Sequence, residues 1–445
     1  MPMKIAFIRP NMYAGRSSDA MEPLCFAILK GLTPPDVETV LYDERLEEVP
    51  LDETCDLVAM TVETYTARRA YAIADRYRSR GIPVVMGGYH PTFLPEEAAR
   101  HADAVVVGDA EGIWPRVVEE ARAGRLSSHY KADGFADLAG AHYDRSIFAG
   151  KKYAPVALVQ YSRGCKFNCD FCSIRAFYGA NLRQRPVDEL VAEIAGLGQR
   201  HIFFVDDNIF INPKKAKELF RALIPLKIRW SCQVSIDIVK DPELLPLMKA
   251  SGCATALIGF ESLDAANLKQ MNKGWNQKFA SYEQALSQFA DVGIMIYGTF
   301  VFGYDHDTPA SFDAAVDFAR QNRFWLANFN PLTPTPGAPL HDRLIAEGRM
   351  VFNEWWLDPN FRYGDATFEP RAMTASELTE GCFRARRAFN TWGSLIGRFV
   401  ASRTNAGSPY RAWLYWLGNL VSRYEIYRKQ GRALGGEASP DSAAR

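Results

Sequence analysis

The sequence contains no run of about 20 apolar residues, so no helix of it is expected to span a bilayer. It carries no net charge, with 52 Lys and Arg against 52 Asp and Glu. That balance gives no electrostatic footprint for nucleic acid, and none is expected as a partner. Cysteine is sparse, eight in 445 residues, which excludes a disulfide-built scaffold. No second C-x-x-C pair exists to complete a zinc ribbon. No internal repeat is visible beyond the strand–helix period itself. The opening "MPMKIAFIRPNM" has too short an apolar run for a signal peptide and no small-residue cleavage site. A reducing cytoplasm is therefore the expected location.

Alternation of strands and helices fills most of the chain. In residues 1–125, "KIAFIRP", "VETVLYDE", "DLVAMTVE", "IPVVMGG" and "ADAVVVGDAE" read as strands, with helical stretches such as "YTARRAYAIADRYRSRG" between them. This pattern predicts an α/β, doubly wound parallel sheet. Such sheets bind ligands beyond the C-terminal ends of their strands. Those ends carry Thr61, then Gly87, Gly88, Tyr89 and His90, then Gly108, Asp109, Ala110 and Glu111. Residues 126–152 lack periodicity and are expected to be a linker.

A second array occupies residues 153–345. Six strand candidates, from "PVALVQYS" to "LANFNPLTP", alternate with helices. In "VDELVAEIAGL", Val187, Leu190, Val191, Ile194 and Leu197 keep helical spacing. Six units fall two short of the eight-unit barrel. A partial barrel is expected, with its chemistry at the C-terminal mouth. Residues 346–434 read as helical and 435–445, "GEASPDSAAR" with the glycine before it, as a disordered tail.

The first barrel strand runs into "YSRGCKFNCDFCSI", which places Cys165, Cys169 and Cys172 on one short loop. Three thiolates can each hold one iron of a [4Fe–4S] cluster, leaving the fourth iron without a protein ligand. An open iron can chelate a substrate through an amine and a carboxylate. Gly164 permits a tight turn, Lys166 adds positive charge, and Phe171 can shield the cluster or pack on a bound ring. The competing reading is zinc, completed by His201, Cys232 or Cys253. The scattered Cys25, Cys55, Cys232, Cys253 and Cys382 read as packing.

C-x3-C-x-Phe-C after the first strand of a six-unit barrel resembles the radical S-adenosylmethionine (SAM) superfamily. There, a reduced cluster breaks the sulfonium C–S bond, and the resulting 5′-deoxyadenosyl radical abstracts hydrogen from the substrate. "VVMGGYHPTFLPEEA" followed by "ADAVVVGDAE" resembles the Rossmann-like cobalamin-binding domains that precede many such barrels. "FFVDDNIFINPKKAKEL" and "PLTPTPGAPLHDRLIAEGRM" fit the same group, which includes the hopanoid methylases and the anaerobic oxidative cyclase of bacteriochlorophyll synthesis. The chain departs from the cobalamin mutases, whose Asp-x-His-x-x-Gly supplies a histidine to cobalt. Here the region after the second strand reads "YDERLEEVP".

The resemblance implies an enzyme with a [4Fe–4S] cluster, SAM and cobalamin, a small-molecule substrate, and an external electron donor such as flavodoxin or ferredoxin. It implies C-methylation of an unactivated carbon, with SAM as both methyl source and radical source. An oxidative cyclase or ring-forming enzyme built from the same parts is the alternative. A cofactor-sensing binding protein comes from a different class.

Several residues have a functional and a plain reading. Asp206, Asp207 and Asn208 end the second barrel strand, where they contact SAM or cap a turn. Gln233 and Ser235 alternate on the third strand and point into the barrel. Glu261 and Ser262 end the fourth; a buried Glu261 requires a ligand or a basic neighbour. Gly303 and "PLTPTPG" shape an adenine pocket or are turns. His90 touches the cobalamin tail or caps the helix near Pro95. Asp109 and Glu111 bind the cofactor or face water, and Asp305 and His306 handle a substrate proton or sit in a solvated loop. The aromatic, arginine-rich tail from Trp392 to Arg432 covers the open side of the barrel or makes peripheral membrane contact.

Overall fold

The computed structural model describes residues 2–13, 15–17, 19–277 and 281–435, so all but the first residue of the expected disordered tail lies outside the described residues. The first sheet has six parallel strands: β1 Lys4–Arg9, β2 Glu38–Asp43, β3 Leu57–Thr61, β4 Val84–Gly87, β5 Ala104–Val107 and β6 His129–Lys131. Their order is β2-β1-β3-β4-β5-β6. Side-chain alternation sorts the apolar runs onto two covered faces. Ala6, Ile8, Val58, Met60, Val84 and Met86 pack in one core. Ile5, Phe7, Leu57, Ala59, Val85 and Val106 pack in the other. Burial on both sides is why these strands are almost continuously apolar.

The stretch expected as a linker holds β6 and a 3-10 turn at Arg145–Phe148. β6 reads His-Tyr-Lys, exposed, buried, exposed, because it pairs only with β5 at the sheet edge. Three residues with one inward side chain carry too little period to be read as a strand.

The second unit begins with β7 Ala157–Val159. A two-residue hairpin follows, β8 Ser162–Arg163 and β9 Arg183–Gln184. Then come β10 His201–Phe204, β11 Arg229–Gln233, β12 Cys253–Glu261, β13 Met295–Phe302 and β14 Leu326–Pro331. The parallel sheet has the order β14-β13-β12-β11-β10-β7, a six-stranded open barrel. Alternate residues Trp230, Cys232, Ala256, Ile258, Phe260, Phe300 and Phe302 pack under the outer helices. Their neighbours, including Gln233 and Glu261, therefore face the lumen.

The region after the barrel has two jobs. Trp355, Trp356 and Phe361 return to the first sheet and join its core. Helices Ala375–Phe389, Trp392–Val400, Arg403–Ala406 and Pro409–Lys429 then follow. Thr374, Thr391, Ser402 and Ser408 cap them, each side chain accepting an N–H three residues on. Leu414, Tyr415 and Trp416 pack on Met295, Tyr297 and Leu326 of β13 and β14. The long last helix thus lies across the N-terminal ends of β13 and β14 and reaches His201 at the start of β10 through Tyr410 and Trp413. Buried Arg398 ties this region down by donating to the carbonyls of Phe324 (2.6 Å), Trp325 (2.9 Å) and Phe389 (3.2 Å). Among the described residues no helix is long and apolar enough to cross a membrane.

Candidate active site

The hairpin β8–β9 brackets the cysteine loop, with Arg163 opposite Arg183. Gly164 opens the loop at φ +92°, and a Cβ there would collide with the carbonyl of Asn181. Only glycine fits both constraints. Gly164→Ala is expected to cost about 1–3 kcal/mol. It should also lower the iron retained after anaerobic reconstitution, measured as iron per protein chain.

Cys165, Cys169 and Cys172 are all partly exposed, and none is in a disulfide. Burial raises all three thiols, Cys169 to about 12, with Lys273 pulling it back. Lys273 is buried; burial lowers it, but Glu261 and the Cys169 thiolate outweigh that and hold it charged. Its Nζ donates to Glu261 Oε1 and to the Gly259 carbonyl, both at 2.8 Å. Glu261 itself sits at φ +62°, rare for a non-glycine residue. The basic neighbour that a buried Glu261 requires is therefore Lys273. Phe167, within the loop, stacks on Trp275 with 3.6 Å between ring centroids. Phe171 leans edge-on against Tyr304, at 6.5 Å between centroids, so it packs on protein.

This donor set suits a four-iron cluster. Three free thiols lie on one loop, an aromatic pair walls it, and a buried ammonium opposes thiolate charge. The zinc reading finds no partner. Cys232 is buried in β11 and its thiol faces Cys253. His201 starts β10, against Tyr410 and Trp413. Among the described residues no three His, Cys, Asp or Glu converge on a single-ion site.

The strand-end polar residues divide. Asp206 is fully buried and accepts bonds from the Tyr161 N–H (3.0 Å), the Ser162 N–H and the Ser162 hydroxyl (2.5 Å). It clamps the β7–β8 turn and does not open onto the lumen. Burial raises it to about 7 against those bonds. Asp206→Asn would set an amide N–H against the backbone donors, at a cost of about 1–3 kcal/mol in urea unfolding. Asp207 accepts the Gly164 N–H at 3.0 Å, and burial raises it to about 6. Ser235 accepts from Asn208 (2.7 Å) and donates to Asp237 (2.6 Å), while Gln233 reaches the Asp206 carbonyl at 3.4 Å. Ser262 accepts the Asp264 N–H at 3.1 Å, a turn contact. Gly303 is wedged against Phe368 and Leu378, so it serves a turn. Asp305 is held by Gln270, Arg343, Arg349 and Arg371, and the His306 N–H donates to Asn267.

A second site lies across the hairpin. A cavity of ≈ 320 Å³ opens at the C-terminal ends of β1, β3, β4 and β5, where the chain order reverses. Thr61, Gly87, Gly88, Gly108, Asp109 and Glu111 line it, as the sequence suggests. Leu24, Ile28, Ala59, Val85, Val106 and Trp114 make its apolar floor, and no histidine lines it. Gly88 sits at φ +108°, where a Cβ would approach Val62 O to 2.9 Å. An apolar slot rimmed by glycine backbone suits the flat, largely apolar parts of a corrinoid.

His90 is absent from this cavity. Its ring is wholly buried, with Nε2 at 2.9 Å from Glu97 and 3.0 Å from Tyr71. It neither touches the slot nor caps a helix, because the short helix Tyr89–Phe93 turns it to the other face of the sheet.

Asp109 and Glu111 also take a role of their own. Arg163 pairs with Asp109 (3.1 Å) and Glu111 (2.5 Å), and Arg183 with Asp109 (2.5 Å). The two arginines bracket the cysteine loop, so this latch binds the cluster hairpin directly to the rim of the glycine-lined slot. Gln160, Arg163, Phe177, Tyr178 and Val205 close the slot from the barrel side. Tyr65, after β3, donates to Thr333, after β14, at 3.2 Å. The C-terminal edges of both sheets therefore face each other.

Comparison with known proteins agrees with this arrangement. Residues 159–319 match the radical SAM superfamily, and residues 30–118 match the B12 binding domain. Bacteriochlorophyllide d C-12(1)-methyltransferase of Chlorobaculum tepidum is 31% identical over 415 residues, 90% of this chain and 88% of that protein. Bacteriochlorophyllide d C-8(2)-methyltransferase of the same organism is 31% identical over 355 residues, 75% of this chain and 78% of that one. The structure of TsrM, a radical SAM methyltransferase of Kitasatospora setae with cobalamin and [4Fe–4S] cluster bound, shares the fold. Its TM-score is 0.65 at 16% identity, over 96% of this chain and 99% of that one. Two matched domains in this order, with a relative aligned over most of its length, place the chain: it belongs to the cobalamin-binding radical SAM enzymes, which use a [4Fe–4S] cluster, S-adenosylmethionine and cobalamin.

Proposed function

We propose that the chain methylates an unactivated carbon on the periphery of a tetrapyrrole-like small molecule. The supporting observation is the latch of Arg163 and Arg183 on Asp109 and Glu111, which sets the cysteine loop beside the glycine-rimmed slot. Methyl transfer to a carbon radical requires both cofactors to look onto one substrate cavity. The ring substrate is suggested by the two bacteriochlorophyllide methyltransferases to which the chain is similar over 90% and 75% of its length.

In this reading Cys165, Cys169 and Cys172 would hold the cluster, leaving one iron without a ligand from the chain. When bound, the cluster supplies the electron that cleaves the sulfonium, and the cobalamin supplies the methyl group. The residues of the chain position and shield. Lys273 balances thiolate charge, and Glu261 keeps that ammonium in place. Asp207 holds the turn at Gly164, and Asp206 holds the strand leading into it. Gln233 and Ser235 offer lumen-facing polar atoms to SAM. Thr61, Gly87, Gly88 and Gly108 let the corrinoid approach the sheet edge. Phe177, Tyr178 and Tyr89 pack together along the wall of the slot and would exclude water from the radical's path. The electron comes from a flavodoxin- or ferredoxin-like donor.

The test is anaerobic turnover of the protein reconstituted with iron, sulfide and cobalamin, with bacteriochlorophyllide d as substrate. A product heavier by one methylene unit, together with 5′-deoxyadenosine, is expected. A product that has lost hydrogen or gained oxygen would replace this reading with the cyclase alternative.

A further inference from the structure

The last helix, Pro409–Lys429, is turned inside out. Its buried positions are Tyr415, Asn419 and Glu425. Its exposed positions, Pro409 aside, are Trp413, Leu417, Leu420, Tyr424 and Tyr427. These five are 45–61% exposed and follow one another in steps of four and three residues, so they form a single outward stripe. An ordinary surface helix puts charge there. The neighbouring helix Trp392–Val400 adds Trp392, Ile396 and Val400, the last 76% exposed. The two helices touch, since the Tyr415 hydroxyl donates to the Leu395 carbonyl at 2.7 Å and Arg423 lies 5.2 Å over the Trp392 ring. The stripes thus merge into one apolar face, larger than scattered surface hydrophobics make.

Positive charge rims this face. Arg387 lies 6.0 Å over the Tyr427 ring, Arg423 covers Trp392, and Arg403 follows Val400. Arg403 and Arg411 are the charged residues lining an adjoining groove of ≈ 440 Å³ with Val400, Ser402, Ala406 and Gly407. Among the described residues none of these four arginines has a carboxylate within ion-pair distance; Arg411 donates to the Gly293 carbonyl at 3.0 Å and Arg423 to the Asn390 carbonyl at 2.6 Å.

Two occupants suit a long apolar stripe. A second copy would lay the stripe against itself. The flanks would then bring Arg387 and Arg423 of each copy together, with no exposed acid on this helix to meet them. An anionic bilayer takes both features, because Trp and Tyr favour the headgroup–acyl boundary and arginines the headgroups. We propose that the outer face of helices 392–400 and 409–429 docks the enzyme on the surface of an anionic lipid bilayer. The docking is peripheral and leaves the mouth of the barrel with its own contacts.

The test is co-sedimentation of the full-length protein with vesicles of phosphatidylcholine, with and without phosphatidylglycerol. Binding to the anionic vesicles is expected, weakening as salt rises. The double substitution Leu417→Ser and Leu420→Ser should lower the partition coefficient roughly tenfold. Arg387→Gln and Arg403→Gln should each lower it about fivefold. All four side chains are exposed, and circular dichroism checks that the variants remain folded. Brominated lipids provide a readout without substitution, since they should quench tryptophan fluorescence of the unaltered protein. No binding to anionic vesicles, or binding that both sets of variants leave unchanged, would overturn the proposal. So would self-association in lipid-free buffer that the leucine variant abolishes while vesicles go unbound.

Discussion

Cys169→Ala is expected to fold normally and to lose 5′-deoxyadenosine formation by a factor of about 10³ or more. The loop's own backbone does not depend on the thiol. Cys169 contributes its carbonyl to the Cys172 N–H at 3.3 Å, and an alanine keeps that bond. What is lost is one of three ligands, and two thiolates cannot hold a four-iron cluster with one iron open. Iron and sulfide content after reconstitution should fall together with activity. Cys232→Ala is the matched control. Its thiol is buried in β11, facing Cys253, outside the loop. That variant should lose some thermal stability to the small cavity and keep turnover. Equal loss in both variants would mean that the thiols act through packing and not as ligands.

Arg163→Met should be the most damaging single change to the junction of the two sheets. Arg163 is 7% exposed and Asp109 6%. Glu111 and Asp109 lift the Arg163 guanidinium pKa despite its burial. Removing one partner from a buried pair strands the other, at about 3–5 kcal/mol. Arg183 still reaches Asp109 but not Glu111, so the loss should sit toward the lower figure. Thermal unfolding measures it. Combining Arg163→Met with Glu111→Gln should recover part of the stability, because Asp109 keeps Arg183 and the one stranded charge leaves. The functional signature is distinct from simple destabilisation. A loosened latch lets the cysteine loop move relative to the slot, so 5′-deoxyadenosine should continue to form while methylated product falls. A ratio of the two that matches the unaltered enzyme would show that the latch has no positioning role.

The parts legible in the sequence share a physical cause, which is repetition. Strands such as "DLVAM" and "AVVV" must be apolar on both faces, and six such units in the second array fix a partial barrel. Three cysteines on one loop are equally local. The glycines at the ends of β4 and β5 sit where an α/β sheet binds its ligand, and they line the slot.

What escaped the sequence depends on pairing over distance. Asp109 meets Arg163 and Arg183 from 54 and 74 positions away, on strands only two residues long that carry no period. The cost of burying Glu261 demanded a cation, but nothing local marked Lys273. His90 failed for the opposite reason. It stands beside the glycines in sequence, yet a single turn of helix sends its ring to Tyr71 and Glu97. Asp206 and Asp207 are neighbours with the same side chain. One clamps a strand turn and the other holds the cysteine loop, a difference that alternation alone decides.

The open iron can be tested most directly by paramagnetic resonance on the anaerobically reconstituted, reduced protein. Adding S-adenosylmethionine labelled at its amine nitrogen and carboxylate oxygen should perturb the cluster signal and reveal coupling to both labels. A cluster signal indifferent to the labelled molecule, or a metal content dominated by zinc, would contradict a site built from three cysteines and one free coordination position.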